Sequence, residues 1–377
     1  MFEEGAKLKI LHGVDKVCDF SIGNPDMIPP QEFQRVLMEE AGRTEPRIHG
    51  YMPNAGFPHV REAVAAFASD EQKVDLTSQH VLMTCGAGGA LNVALRAITN
   101  PGDEVLASAP CFVEYGFYCG NYGALLKLVP STDNFDLDPK AFAEAITEKT
   151  AAVIINSPHN PTGRVYPEET LAELAQVLEA ARKRTGRRIY LISDEPYRKI
   201  VYNGLKVPPV MALYRHSLVA TSYSKDLSLP GERIGYLAVN PAADDSEKLI
   251  GALTLCNRIL GYVNAPGLMQ RIVARLQGAS VDVGIYQAKR DNLKRIFDDA
   301  GFEYAEPQGT FYFWLKSPVA DEREVVDALK KELILTVPGR GFAGPGWFRV
   351  SYCVDDAVIK RSAEGFRKVR KLFGEYC

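Results

Sequence analysis

The chain has 377 residues, a length that favours two domains or one large α/β core with an appendage. It is 46% hydrophobic and 24% charged, with 31 Gly and 23 Pro, close to the averages of globular proteins, which excludes collagen, coiled coil and wholesale disorder. Lys+Arg 44 against Asp+Glu 47 leaves a net charge of -3, without the basic excess that neutralises nucleic-acid phosphates or anionic lipid, so neither nucleic acid nor membrane is expected as a partner.

The N-terminal MFEEGAKLKILHGVDKV mixes charges throughout and lacks the apolar core of a signal peptide. No apolar run reaches the roughly 18 residues of a membrane span, and a cytoplasmic protein is expected. The cysteines, Cys18, Cys85, Cys111, Cys119, Cys256, Cys353 and Cys377, are odd in number and scattered, with no C-x-x-C pair. That pattern argues against a disulfide framework or a zinc knuckle and fits small buried hydrophobes, so no metal is expected.

From about residue 80 to 240, short apolar runs alternate with helical patterns. HVLMT, EVLASA, ALLKLV, AAVIINS, RIYLISD, SLVATS and IGYLAVN read as strands buried on both faces, and stretches such as PEETLAELAQVLEAARKR read as the helices between them. This predicts an α/β fold with a mostly parallel sheet covered by helices. PAADDSEKLIGALTLCNRIL, APGLMQRIVARLQG and YQAKRDNLKRIFDDAG follow as helices. FYFWLK and WFRVSYC then read as strands, and DEREVVDALKKEL and DDAVIKRSAEGFRKVRKLFGEY as helices, a smaller α+β unit. The segment before Gly23 is too short to fold alone. The expected division is a large domain over 36–275 and a discontinuous small one joining 1–35 to 276–377.

In open α/β sheets ligands bind beyond the carboxyl ends of the strands. TCGAGGALN puts small residues at a strand-to-helix turn, where backbone N–H groups can meet a phosphate; it matches neither G-x-G-x-x-G nor G-x-x-x-x-G-K-[ST], and a plain tight turn is the competing explanation. INSPHNPTG brings Asn160 to the end of AAVII, as a turn or as a donor to a ligand oxygen. LISDEPY ends an apolar strand on Asp194, a carboxylate that needs a partner there or caps a helix. ATSYSKDLSLPGERIGYLAV sets Lys225 after such a strand, with Arg233 eight residues on. A lysine near an apolar strand end and a second cation can have its pKa lowered far enough to act as a nucleophilic amine.

NPTG (Asn160 to Gly163), D-x-x-Y (Asp194, Tyr197) and S-x-x-K with its following Arg (Ser222, Lys225, Arg233), in that order, resemble the class I/II aminotransferases of fold type I, the aspartate aminotransferase superfamily. The similarity runs from the N-terminal GNPD to the C-terminal FRVSY. It implies pyridoxal 5′-phosphate as cofactor, attached covalently to Lys225, which also shuttles a proton to and from the substrate Cα. Asp194 would pair with the pyridine nitrogen and keep it protonated. Asn160 and Tyr197 would hydrogen-bond the cofactor's phenolic oxygen, and Ala87, Gly88, Ser222 and Arg233 would form the phosphate cup. Phe112 falls where the family stacks an aromatic ring on the pyridine. Arg349 matches the arginine that clamps the substrate α-carboxylate, with Asn160 also on the substrate side, and Gly23 matches a loop glycine that closes over it. Tyr51, in HGYMPNAG, matches a tyrosine that reaches the cofactor phosphate of a neighbouring subunit, which implies a homodimer with shared active sites.

The implied activity is transfer of an amino group between an L-amino acid and a 2-oxo acid by a ping-pong mechanism, the aspartate/2-oxoglutarate type included. The arginine that the second subunit supplies to bind the distal carboxylate in aspartate-specific members has no clear match, since Arg258 aligns before GYVNAP only with a shift and reads as a helical surface residue; aromatic, alanine-type and broad donors stay open. A carbon–sulfur β-lyase or an amino-acid decarboxylase of the same fold would keep Lys225, Asp194 and Arg233. A transcription regulator would need a helix-turn-helix extension, and a nicotinamide oxidoreductase the glycine fingerprint.

Overall fold

A computed structural model describes residues 2–374; Cys377 and the end of the last helical pattern, Glu375 and Tyr376, lie outside the described residues. After a helix at Phe2–His12 comes the short strand β1 (Cys18–Asp19). The seven apolar runs then become β2 (Val81–Thr84), β3 (Glu104–Ala109), β4 (Leu125–Pro130), β5 (Thr150–Asn156), β6 (Tyr190–Asp194), β7 (Ser217–Ser222) and β8 (Gly235–Val239). They form one sheet in the order β2-β8-β7-β6-β5-β3-β4.

Pairs within β7-β6-β5-β3-β4 are parallel, while β8 is antiparallel to both β2 and β7. Its direction follows from its connection. Parallel neighbours need a crossover, usually a helix; between β7 and β8 the chain makes only a short 3-10 turn, Pro230–Glu232. Because Ser222 pairs with Gly235, the intervening loop returns to its origin and carries Lys225 and Arg233 at one end of β7. A Cβ on Gly235 would collide with the Thr221 carbonyl oxygen and the Gly86 backbone, so this meeting of loop and helix start needs glycine.

The sheet is apolar on both faces. Leu82, Val105, Ala152, Ile192 and Leu218 pack on one side with Leu91 and Leu95 of the helix Gly86–Ile98. Leu106, Val153 and Leu191, the next residues along their strands, pack on the other with Leu171, Leu174 and Leu178 of the helix Glu168–Thr185. Alternate residues thus meet opposite helix layers, which is why these strands read as continuous apolar runs. β4 departs from this: it is one of the two edge strands, and Leu125 and Leu128 are exposed, whereas β2 at the other edge is buried.

Beyond the helices Ser246–Ile259, Gly267–Ala274 and Val283–Ala300 lie β9 (Tyr304–Ala305), β10 (Tyr312–Lys316), β11 (Ile334–Leu335), β12 (Val337–Pro338) and β13 (Trp347–Ser351). Four of them make an antiparallel sheet, β12-β13-β10-β9, and β11 pairs in parallel with β1, Cys18 opposite Ile334. The N-terminal segment is therefore docked on the C-terminal unit, around a core that includes Phe20, Phe297, Phe313, Phe348 and Phe366. Among the described residues, no helix is long and apolar enough to cross a membrane.

Candidate active site

β5, β6 and β7 end at Asn156, Asp194 and Ser222, and these ends open into a cavity of about 470 Å³. The helix Gly86–Ile98 starts at its wall, the β7–β8 loop forms another side, and Tyr312 of β10 and Arg349 of β13 reach in from the second sheet. Of the residues singled out in the sequence, Gly23, Ala87, Gly88, Phe112, Asn160, Asp194, Tyr197, Ser222, Lys225, Arg233 and Arg349 all line it. Tyr51 does not: it stands 95% exposed, outside the cavity of its own chain.

Lys225 is an ammonium in a largely desolvated place. Its Nζ donates to the Gly23 carbonyl at 2.9 Å and lies 5.9 and 5.5 Å from the ring centroids of Tyr197 and Phe311. Burial lowers its pKa to about 8; Cys353 opposes the shift, and Arg349 and Arg233 add to it. A Cβ on Gly23 would collide with the Tyr312 side chain, so the backbone approaches the amine closely only because this residue is glycine.

Asp194 shows the converse. Tyr115 donates its hydroxyl hydrogen to Oδ2 at 2.6 Å, while Oδ1 is buried without any partner. Burial lifts the carboxyl pKa to about 7 against the Tyr115 bond, with Glu195 and Glu114 adding to the rise. An orphaned carboxylate oxygen at the end of a sheet strand is a costly arrangement unless a ligand donor meets it. Asn156 fixes the loop beside it, donating to the Asp194 carbonyl at 2.7 Å and accepting from the Asn160 backbone N–H at 2.7 Å.

Arg349 lies with its guanidinium 4.3 Å from the Tyr312 ring centroid and 4.7 Å from that of Phe342. Nη1 donates to Asn160 Oδ1 and Nη2 to the Ser21 carbonyl, each at 3.0 Å; Nε is buried and unpartnered. Two aromatic faces and two neutral acceptors hold the cation without neutralising it, which leaves its charge for an anion. Tyr197 and Tyr312 share a hydrogen bond between hydroxyls at 3.0 Å.

Ala87 and Gly88 lie in the first turn of the helix Gly86–Ile98, where backbone N–H groups lack intrahelical acceptors. Ser222 and Arg233 flank that turn, and Arg233 holds φ +51, with Nη1 donating to the Pro230 carbonyl at 2.7 Å. Amides, a hydroxyl and a guanidinium suit a phosphate. Phe112 packs edge-on against Tyr115, with ring centroids 5.6 Å apart.

The sequence reading missed Asn156, Tyr115 and Tyr312. Asn156 ends β5 and carried a strand-end signal; Tyr115 and Tyr312 sit in aromatic runs that look like ordinary core.

An amine made less basic by burial, an unpaired carboxylate at a neighbouring strand end and a helix start suited to an anion, all on a mostly parallel sheet, fit a pyridoxal 5′-phosphate enzyme of fold type I. Comparison makes this specific: the chain belongs to the family aminotransferase class I and II, whose model matches residues 15–366. It is 32% identical to a probable aspartate/prephenate aminotransferase of Thermus aquaticus over 367 residues, covering 94% of this chain and 91% of that protein. A probable aspartate aminotransferase of Methanocaldococcus jannaschii is 31% identical, with 91% of each chain covered. Among solved structures, an amino transferase from Eubacterium rectale superposes with a TM-score of 0.96 at 40% identity, covering 99% of this chain and 94% of that one. The aspartate aminotransferase of Thermus thermophilus with maleate gives 0.86 at 27%, covering 98% and 95%. The protein is thus a pyridoxal 5′-phosphate-dependent aminotransferase.

Proposed function

We propose that the cavity beyond β5, β6 and β7 transfers an amino group from an L-amino acid to a 2-oxo acid in two half-reactions, with Lys225 as its acid–base residue. The observation that carries this is the pairing of Lys225, whose pKa is lowered to about 8, with an Asp194 oxygen that has no partner in the chain. When bound, pyridoxal 5′-phosphate supplies an aldehyde carbon for the amino group and a ring that accepts the electron pair left at Cα. Asp194 Oδ1, buried without a partner, would hold the proton on the ring nitrogen. Ala87, Gly88, Ser222 and Arg233 would hold the phosphate, Phe112 would pack on the ring, and Asn160 and Tyr197 would serve the phenolic oxygen. Asn160 Oδ1 accepts from Arg349, so its amide Nδ2 is the end left to donate. Arg349 takes the substrate α-carboxylate, and Gly23 lies over the substrate beside Lys225. Near pH 8 Lys225 is divided between amine and ammonium, the condition in which one group both removes and returns a proton efficiently.

The same reading makes the protein a cytoplasmic homodimer with shared sites, supported by the free cysteines among the described residues and by the outlying Tyr51. It divides the chain into 36–275 and 1–35 with 276–377, supported by the seven-stranded sheet falling within the first and β1 and β9 to β13 within the second. The names of the relatives bring aspartate forward as a donor; the charges of the cavity favour another side chain.

Borohydride reduction of the purified protein followed by peptide mass mapping is expected to find the pyridoxyl group on Lys225, and incubation with alanine alone to yield pyruvate in single turnover. A label on another lysine would remove Lys225 from its role. Sustained release of pyruvate and ammonia from a cysteine S-conjugate, whose thiol leaves from Cβ, without a 2-oxo acid would make the protein a lyase.

A further inference from the structure

The charged groups of the cavity do not all have a place in that reading. Arg233 goes to the phosphate, Arg349 to the α-carboxylate, Asp194 to the ring nitrogen and Lys225 to attachment and proton transfer. Glu114 is left over. It lines the same cavity, two residues beyond Phe112. Tyr118, one helical turn on, donates its hydroxyl hydrogen to Glu114 Oε2. Oε1 makes no hydrogen bond, and no Lys, Arg or His among the described residues pairs with this carboxylate. Its charge also acts on Asp194, behind burial and Glu195 in raising that pKa, as expected of a group within the same enclosure. An acidic residue is favoured in the first turn of the helix Glu114–Gly120 by the free N–H groups there. That accounts for the residue type, but not for a carboxylate without a cationic partner in the lining of the cavity.

We infer that Glu114 selects the amino donor's side chain, so that this aminotransferase takes amino acids ending in a hydrogen-bond donor, an ammonium foremost, and rejects those ending in a carboxylate. The inference rests on the reading proposed above. With Tyr118 already donating to it, Glu114 can only accept further hydrogen bonds. A second carboxylate brought to it would face a like charge, and each cation that the same chain contributes to the cavity, Lys225, Arg233 and Arg349, is already engaged. Arg258, the residue that aligned with the distal-carboxylate arginine after a shift, lies outside the cavity of its own chain, as Tyr51 does; it is exposed and donates from Nη1 to Asn54 Oδ1 at 3.2 Å, so only its variant decides whether it serves a neighbouring site. Recognition of a terminal ammonium by a carboxylate already in place costs the enzyme no rearrangement, and a site built around one hydrogen-bonding polarity discriminates strongly against the opposite one.

The test uses the holoenzyme in single-turnover half-reactions, read from the absorbance of the bound cofactor, with L-lysine, L-glutamine, L-glutamate and L-alanine as donors. In wild type, kcat/KM for lysine is expected to exceed that for glutamate by at least about tenfold. Glu114→Gln should move the lysine-to-glutamate ratio at least about tenfold toward glutamate, whereas Tyr118→Phe, which leaves the charge in place, should keep lysine ahead. A wild-type preference for glutamate overturns the inference without any variant, and its loss in Arg258→Ala would assign the distal site to that arginine. A Glu114→Gln protein that slows every donor by one common factor also overturns it. If none of the four donors reacts, nor aspartate or phenylalanine added as further donors, the reading of this cavity as the site of amino transfer falls, a result distinct from a failed preference among reacting donors.

Discussion

Lys225 and Asp194 carry opposite charges, and burial pushes each toward neutrality. For Asp194 the consequence for stability has a definite sign. Between pH about 4 and about 7 the folded chain keeps a proton on this carboxyl that the unfolded chain has lost, so stability falls as pH rises across that window. Above it the cofactor-free protein bears the whole cost, up to roughly 4 kcal/mol for a shift of about three units. Asp194→Asn, which keeps an acceptor for Tyr115, should therefore raise the melting temperature of the cofactor-free protein at pH 8 and leave it nearly unchanged at pH 4.5. The wild-type profile alone cannot isolate this, because burial also lifts Glu71 to about 7; the difference between the two proteins can. A gain of the same size at both pH values would remove desolvation as its cause. The polar residues of this site were legible in the sequence because Asn160, Asp194, Ser222 and Lys225 each interrupt or follow an apolar run. Tyr115 and Tyr312 were not, since a tyrosine in an aromatic segment looks the same whether its hydroxyl meets a core carbonyl or a catalytic carboxylate.

At the scale of elements, the strand ends that bear the site rest on a buried layer of charge whose members are sequence neighbours of the site residues. Glu195 follows Asp194, Arg198 follows Tyr197, and Asp226 follows Lys225. Glu195 accepts from Ser193 Oγ at 2.7 Å, Gln72 Nε2 at 2.9 Å and Arg198 Nη1 at 3.0 Å. Arg198 Nη2 donates to the carbonyls of Glu71 and Val207, at 2.9 and 3.0 Å, and Lys199 pairs with Asp226 at 3.0 Å. The helix Pro58–Gln72, the end of β6 and the β7–β8 loop are thereby tied together. Removing one partner of such a pair leaves a buried charge uncompensated, so Arg198→Met should cost about 3–5 kcal/mol in denaturant unfolding. Glu195→Leu combined with Arg198→Met should cost less than Arg198→Met alone, because no charge is then stranded. A loss below about 1 kcal/mol for the single variant would show the layer to be dispensable. None of this was readable beforehand: charge runs in sequence usually mark solvated faces, and only the fold turns these inward. The strands themselves were readable, because two helix layers make both faces apolar. Which strand lies at an exposed edge was not, since ALLKLV has the composition of its central neighbours and yet forms β4.

For the whole molecule the open question is where Tyr51 acts. Its loop is not loose: Asn264 Nδ2 donates to the Pro53 carbonyl at 3.0 Å and Asn257 Nδ2 to the Asn54 carbonyl at 3.4 Å, which fixes the segment on the helix Ser246–Ile259 and the turn after it. An ordered loop that presents an aromatic ring to solvent, with Leu255 and Ile259 of that helix also exposed, suits a face covered by a second copy of the chain. In such a dimer each site would use a Tyr51 from across the interface, and this can be read from hybrids. Lys225→Ala abolishes turnover in its own site, and Tyr51→Ala weakens hold on the cofactor phosphate wherever that tyrosine acts. When the two variant chains are co-refolded and Tyr51 crosses the interface, one site of the hybrid collects both defects and the other collects neither. Activity at limiting cofactor should then rise above the mean of the two parent dimers. If Tyr51 serves its own chain, every site of the hybrid carries one defect. The mixture should then average the parents at every ratio, and that outcome, with subunit exchange verified, would end the case for a shared site.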